Sequence, residues 1–375
     1  MMIYIFIISF LSVFYAYFGY PLLLIALNKI YKNRIEIISD DYEPSISIIT
    51  PVYNEESVIK EKIENSLGLI YPEDKFEIIF VSDGSTDNTE QIIQSYNNPK
   101  IKLVRTAQRL GKANALNTGL GEVKNEIIVF TDASIMLEED ALVEISTPFQ
   151  DSSVGCVSGE DYISEAEGEG LYGKYELWLR RLESETGSIV GASGSFYAQR
   201  SSTCKQFLEG VAPDFLSVLE TVESGYRAIS SATAVGYMSC LKNPADEYKR
   251  KVRTLTRGMA ALKHKINLLN PIKYGLFSIY IISHKIFRWL VPVFLLLLYI
   301  SNYFLMGSAF FDLFFYAQTL FYISALLAYK NIFQVHQYTP FKISLFFCIA
   351  NVAILDAMFK FFQGQRQEIW EPTKR

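Results

Sequence analysis

The stretch Ile46 to Glu56 reads ISIITPVYNEE, and its reading decides the fold. Aliphatic Ile46, Ile48 and Ile49 run into Thr50 without a charged residue, and polar side chains follow a proline, Pro51, that is expected to break the strand. A short apolar run closed in this way reads as a strand covered on both faces. The texture returns as FEIIFVS over 76–82, KIKLV over 100–104 and EIIVFTD over 126–132, with segments rich in Glu, Lys, Gln and Asn between. Covered strands joined by helical crossovers make an α/β domain with a mainly parallel sheet, here over residues 31–270. Such sheets bind ligands at the carboxyl ends of their strands, where TPVYNEE leaves its polar side chains.

Composition fixes what surrounds this domain. Hydrophobic residues make up 50% of the 375, and charged residues 20% against roughly 25% in an average soluble domain. With a mean hydropathy of +0.16, a wholly soluble or disordered chain is excluded. The net charge of −5 excludes a general nucleic-acid binder, which needs a basic field. Cys156, Cys204, Cys240 and Cys348 are too scattered for a zinc site and fit a reducing compartment.

Residues 1–28 carry no charge and are long enough to cross a bilayer. The cations Lys29, Lys32 and Arg34 follow the segment, so it reads as an uncleaved anchor whose far end, with the domain after it, is cytoplasmic. Past Pro271, residues 271–288 mix apolar positions with His284, Lys285 and Arg288, the pattern of a helix lying in the membrane interface. Three further spans are expected within 289–365: Trp289–Met306, Ala309–Tyr329 and Ile343–Phe362. Asp356 and Lys360 stand one turn apart in the last and can neutralise each other. Four spans would carry the tail, 366–375, away from the cytoplasm, yet Arg366, Lys374 and Arg375 favour it, a conflict that a re-entrant span would remove. The EAEGEG stretch over 165–170 reads as a loop, and His264 and His336 carry no function. The whole is a multi-pass protein of the cell (inner) membrane in contact with its lipids.

Three more stretches place chemistry at the sheet edge. In VSDGSTDNT (Val81–Thr89), Asp83 ends a strand, Gly84 permits a turn, and Ser85 and Asp87 can cap the next helix. In RLGKANALNTG (Arg109–Gly119), Arg109 and Lys112 flank Gly111 before a helix, which suits capture of phosphate. In IIVFTDAS, Asp132 ends a buried strand, where a carboxylate must be solvated, paired or bound to a metal. Each alone is equally well a capped loop; four consecutive strands delivering charge to one edge are not.

This ordered set resembles the family 2 glycosyltransferases, over about Pro44 to Arg257. The resemblance implies a GT-A fold and an inverting enzyme that uses a nucleotide-sugar donor, a UDP-sugar, with Mg²⁺ or Mn²⁺. It places Pro51, Tyr53 and Glu55 in the nucleoside-binding motif and Asp83 on the base, with Arg109 and Lys112 on the phosphates. The family's Asp-x-Asp metal motif reads Asp132-Ala133-Ser134 here, leaving Asp132 and Ser134 as ligands. GASGSFYAQR supplies an acceptor-side segment, Gly191, Ala192, Ser193 and Gly194. Pro213-Asp214-Phe215 matches the family's acidic motif at its second acid, which makes Asp214 the general base; the bland alternative is a helix N-cap. In YKRKVRTLTRG, Arg250, Arg253 and Arg257 share a helical face. Arg250 and Arg253 take the place of a diphosphate clamp, Thr254 stands where processive relatives have Trp, and the competing role is a basic helix on anionic lipid. The function implied is sugar transfer to a saccharide or lipid-linked acceptor in cell-surface or exopolysaccharide synthesis. Transfer to a polyprenyl phosphate is the alternative, and an inactive membrane scaffold or transporter the reading from another class.

Overall fold

The computed structural model describes residues 1–31, 35–36, 39, 42–164, 169–239 and 244–365. The strands are β1 (Ile46–Val52), β2 (Phe76–Ser82), β3 (Ile101–Arg105), β4 (Ile127–Thr131), β5 (Ile135–Leu137), β6 (Val154–Ser164), β7 (Phe196–Arg200) and β8 (Arg227–Ser239). They form one sheet in the order β3-β2-β1-β4-β7-β6-β8-β5. Every residue of β1 and β4 is buried, as a strand covered on both faces requires.

The expectation of a mainly parallel sheet holds from β3 to β4 and fails beyond. β7 runs antiparallel to both β4 and β6, β5 runs antiparallel to β8, and only β6 and β8 pair in parallel there. β7 is entered from the non-helical stretch 187–195 rather than from a crossover helix, and it is this reversal that brings Gly191–Gly194 to the carboxyl end of β4.

Pro51 does not break β1. The ladder with β2 continues through Pro51 to Val52, whereas pairing with β4 stops at Ile49. The missing N–H therefore falls where β1 has already parted from β4, and Pro51 lines a small crevice there with Lys112, Asp132 and Asp214.

The helices are α1 (Met2–Ile30), α2 (Ile59–Leu67), α3 (Thr89–Ser95), α4 (Lys112–Leu120), α5 (Ala141–Ser146), α6 (Glu169–Thr186), α7 (Pro213–Glu223), α8 (Pro244–His264), α9 (Leu276–Tyr303), α10 (Ala309–Tyr329) and α11 (Thr339–Phe362). α4 lies flat on the sheet because a Cβ at Gly119 would stand 2.9 Å from Ile49 Cγ2 and 3.0 Å from Val81 Cγ2. Among the described residues four helices, α1, α9, α10 and α11, are long and apolar enough to cross a membrane.

Two of them also belong to the sheet domain. Tyr20 and Leu24 of α1 are fully buried in the core that contains Ile49 and Val81, and Tyr175 donates to the Tyr17 carbonyl at 2.8 Å. α9 is unbroken from Leu276, so its first half is not a separate helix over 271–288 lying on lipid. His284 sits between Glu183 (2.6 Å) and Glu176 (3.0 Å), and Arg288 pairs with Glu176. Glu176 and Glu183 are two turns apart on one face of α6. The cations of this stretch answer carboxylates about a hundred residues earlier, which a local reading reaches for as lipid phosphate. Arg288 and His284 together hold the Glu176 carboxyl well below its ordinary range, against the opposing effect of burial.

α11 runs alongside α8. Lys251 lies over the Phe346 ring at 4.4 Å, Val252 and Met259 pack on Ala353 and Ala357, and Lys263 lies 5.8 Å from the Phe361 ring. Asp356 and Lys360 pair at 3.1 Å, joined by the Tyr248 hydroxyl at 3.3 Å. The tail cations Arg366, Lys374 and Arg375, Cys240, residues 165–168 of the expected loop and the side chain of His336 lie outside the described residues.

Candidate active site

The loops after β1 and β2 are stitched together. Asn54, at a φ of 51°, accepts the Thr86 N–H (2.8 Å) and donates its own to Ser85 Oγ (3.2 Å). Asp87 accepts from Glu56 N (3.1 Å) and Thr89 N (3.0 Å). Ser85 and Asp87 thus tie the loops to each other, while Asn88, the residue at the start of α3, makes no side-chain cap bond.

Asp83 is fully buried, and its carboxylate accepts the N–H groups of Gly111 (2.8 Å) and Leu110 (3.1 Å). It holds the turn that carries Arg109, and Gly111 ends that turn at a φ of 95° before α4. Arg109 stacks 3.8 Å from the Tyr53 ring centre. Tyr53, Asp83 and Arg109 form one group, but none of the three lines the main cavity.

That cavity has a volume of about 410 Å³ and gathers the rest of the edge. Glu55, Lys112, Asp132, Ser134, Asp214, Arg250 and Arg253 all line it. Lys112 pairs with Asp132 at 2.5 Å and donates to the Gly194 carbonyl at 3.2 Å. Asp214 approaches Gly194 from another direction: a Cβ there would stand 3.8 Å from its Cγ. Gly194 is thus exposed between a cation–carboxylate pair and a second carboxylate.

Asp214 is not a cap. Ala212 holds the N-cap position of α7, and Asp214 lies inside the first turn. Burial raises its carboxyl above the ordinary aspartate range, although Lys112, Lys285 and Arg180 pull it down. Of the acceptor-side residues, Gly191, Ala192 and Gly194 line the cavity. Ser193 does not: its hydroxyl donates to Asp161 (2.6 Å) and accepts the N–H groups of Ser195 and Phe196, which fixes the bend. Arg250 is engaged by Glu247 of its own helix in a two-pronged pair (2.8 and 2.6 Å).

Several lining residues escaped the sequence reading. Arg180 comes from α6, and Lys285 and Trp289 come from α9. The indole of Trp289 thus reaches the cavity that Thr254 lines without an aromatic ring. Arg257, the third arginine of the α8 face, lines it as well.

Beneath the site lies Lys62 of α2, fully buried, donating to Ile135 O (2.7 Å) and Thr131 Oγ1 (3.0 Å) and so bracing the turn that carries Asp132 and Ser134. Its sequence signal is a lysine on the face of α2 that Ile59 and Ile63 bury. Burial lowers its ammonium to about 7, with Asp132 opposing. The unfolded chain holds that proton to about 10.4, so stability rises with pH between about 7 and 10.4 and is lost as pH falls through 7. Lys62→Met is therefore expected to cost more at pH 9 than at pH 6, on top of roughly 1–3 kcal/mol for the orphaned acceptors. Thermal unfolding in detergent at the two pH values checks this; a cost independent of pH would remove the charge from the account.

Among the described residues, no three His, Cys, Asp or Glu side chains cluster as metal ligands. Asp132 and Ser134 are nevertheless two hard oxygen donors on one cavity wall, a set that fits Mg²⁺ or Mn²⁺ when a ligand's own oxygens complete it.

Comparison with known proteins agrees with this construction. Residues 47–202 match the model of Glycosyl transferase family 2. A poly-beta-1,6-N-acetyl-D-glucosamine synthase of Staphylococcus epidermidis is 26% identical over 289 residues, covering 72% of this chain and 68% of that protein. The Staphylococcus aureus (strain COL) protein of the same description is 25% identical over 283 residues, covering 72% and 67%. Among solved structures, the mannosyltransferase PcManGT from Pyrobaculum calidifontis, in complex with GDP-Man and Mn2+, superposes with a TM-score of 0.75 over 98% of this chain and 100% of that one, at 22% identity. With its mixed GT-A sheet and the family match over residues 47–202, the chain carries a family 2 glycosyltransferase domain, joined among the described residues to four membrane-length helices.

Proposed function

We propose that the chain transfers a sugar, with inversion at the anomeric carbon, from a UDP-sugar to the hydroxyl of a saccharide or lipid-linked acceptor in exopolysaccharide synthesis. The observation that carries this is Gly194, open to the cavity with the Lys112–Asp132 pair on its carbonyl and the Asp214 carboxylate 3.8 Å from where a Cβ would stand. Asp214 accepts the acceptor's proton as the new bond to the anomeric carbon forms and the bond to the diphosphate breaks. Lys112, Arg253 and Arg250 bind the departing diphosphate. Asp132 and Ser134 would hold a Mg²⁺ or Mn²⁺, which would neutralise diphosphate charge. Tyr53, Asp83 and Arg109 shape the nucleoside end, Asp83 through the turn it fixes. The relatives' description supports an N-acetylglucosamine polymer as product. Lys29 in the last turn of α1 supports a cytoplasmic catalytic domain at the cell membrane.

The test is release of nucleoside diphosphate from a donor panel by the detergent-purified chain with Mn²⁺, followed by NMR of the product's anomeric configuration. No release from any donor, or retained configuration, overturns the reading.

Arg253 separates a diphosphate clamp from a lipid contact. Lysine keeps the charge but not the planar fork, so Arg253→Lys is expected to weaken donor binding in detergent, roughly 5- to 20-fold, and Arg253→Ala further. Wild-type donor affinity for both variants in neutral micelles would take Arg253 out of the donor site.

A further inference from the structure

A second cavity, of about 240 Å³, shares Arg253 and Arg257 with the first. Its other walls are different. α8 contributes Thr256, Ala260, Lys263 and His264, the chain before α7 contributes Glu209 to Val211, and the end of α11 contributes Phe361, Gly364 and Gln365. Two guanidinium groups and an ammonium thus face one carboxylate, that of Glu209. The arginines crowd each other: burial and, after it, the like charge of Arg253 lower the Arg257 guanidinium to about 10, with Asp214 opposing. An anion between them relieves both effects. Sugar transfer uses neither Lys263 nor the end of α11, so the transfer reaction leaves this cavity unexplained.

We propose that this second cavity binds a phosphate group, held by Arg253, Arg257 and Lys263 where the catalytic domain meets the last membrane-length helix. Forked guanidinium donors suit phosphate oxygens, and a third cation matches a group that carries more than one anionic oxygen. The apolar wall formed by Val211, Ala260 and Phe361 gives the rest of the molecule a dry surface. Two sources share this chemistry, the headgroup of an anionic phospholipid and free inorganic phosphate. The inference shares Arg253 with the proposed diphosphate clamp, and the test below tells the two apart because it reads binding without donor or acceptor and varies only residues outside the first cavity.

Thr256 and Lys263 line only the second cavity. The experiment therefore compares the full chain with Lys263→Glu, which reverses a charge, and Thr256→Trp, which fills the space. One arm places each protein in bilayer discs of phosphatidylcholine, alone or mixed with phosphatidylglycerol, and counts retained lipid by native mass spectrometry. The other adds inorganic phosphate against chloride at equal ionic strength in neutral detergent and follows thermal unfolding. The expected result is preferential retention of phosphatidylglycerol or stabilisation by phosphate in the wild type, weakened about fivefold or more in each variant. Retention of phosphatidylglycerol without a response to phosphate identifies the headgroup as the ligand, and a response to phosphate shows that the phosphate group suffices. Wild-type protein that distinguishes neither pair overturns the proposal. So does an equal response in wild type and variants, which would put the anion in the first cavity or on the surface. Either variant suffices if the other does not fold, and the wild-type arms decide against the proposal without either.

Discussion

Asp214→Asn is expected to lower turnover by about 100-fold or more while donor binding and folding survive, the scale on which a general base contributes. The substitution is close to isosteric, so the contact with Gly194 keeps its shape and only the proton acceptor is lost. Folding should hold because Asp214 caps nothing: Ala212 occupies the cap position, and a carboxylate in a first turn adds about 0.3–1 kcal/mol through the helix dipole. The pH profile adds a check. Burial raises the Asp214 carboxyl, so the acid limb of kcat/KM should lie above the usual aspartate range, with activity present above the shifted value and lost as pH falls through it. In Asp214→Asn that limb should vanish along with the turnover. Full activity, or an unchanged acid limb, would place the base on another cavity carboxylate, such as Asp161 or Glu55.

The edge of the sheet was legible because each relevant strand ends in a polar residue immediately after an apolar run. Period and punctuation alone bring Lys112 and Asp132 toward one place, and the family resemblance adds Asp214. What local pattern leaves open is direction and partnership. The antiparallel course of β7 depends on the irregular path through 187–195, and nothing in FYAQR distinguishes a strand running one way from the other. Asp83 shows the same limit at a single residue. A carboxylate after a strand reads as open to ligand, yet two backbone N–H groups from the Arg109–Gly111 turn occupy it. The stretch 271–288 fails for a related reason: its cations are visible in sequence, but Glu176 and Glu183 become their partners only once α6 is laid beside α9. Lys62 is the instructive case in between. A lysine on a buried helical face is a legible anomaly, and only the fold shows that it braces the turn bearing Asp132.

Asp132→Asn should abolish transfer, by at least about 100-fold, on the scale of removing a group that stabilises developing charge. Two losses combine in that substitution. Asp132 is the only carboxylate in Asp132-Ala133-Ser134, so an ion held there keeps only neutral protein oxygens. Lys112, paired with it at 2.5 Å, also loses the counter-charge that keeps its ammonium beside the Gly194 carbonyl. Ser134→Asp separates the two losses, because it adds a carboxylate to the same wall without touching the Lys112 pair. It should tighten Mn²⁺ binding by about tenfold, since affinity in oxygen-ligand sites follows the number of anionic donors. In the double variant, Ser134→Asp should restore ion binding but not the position of Lys112, and so return only part of the activity. Free Mn²⁺ counted by electron paramagnetic resonance with donor present, and transfer measured beside it, gives both quantities for the four proteins. Full transfer by Asp132→Asn in EDTA would show that neither the ion nor the pair is needed. Full recovery in the double variant would show that Lys112 acts without its partner, and that the ion alone accounts for the loss.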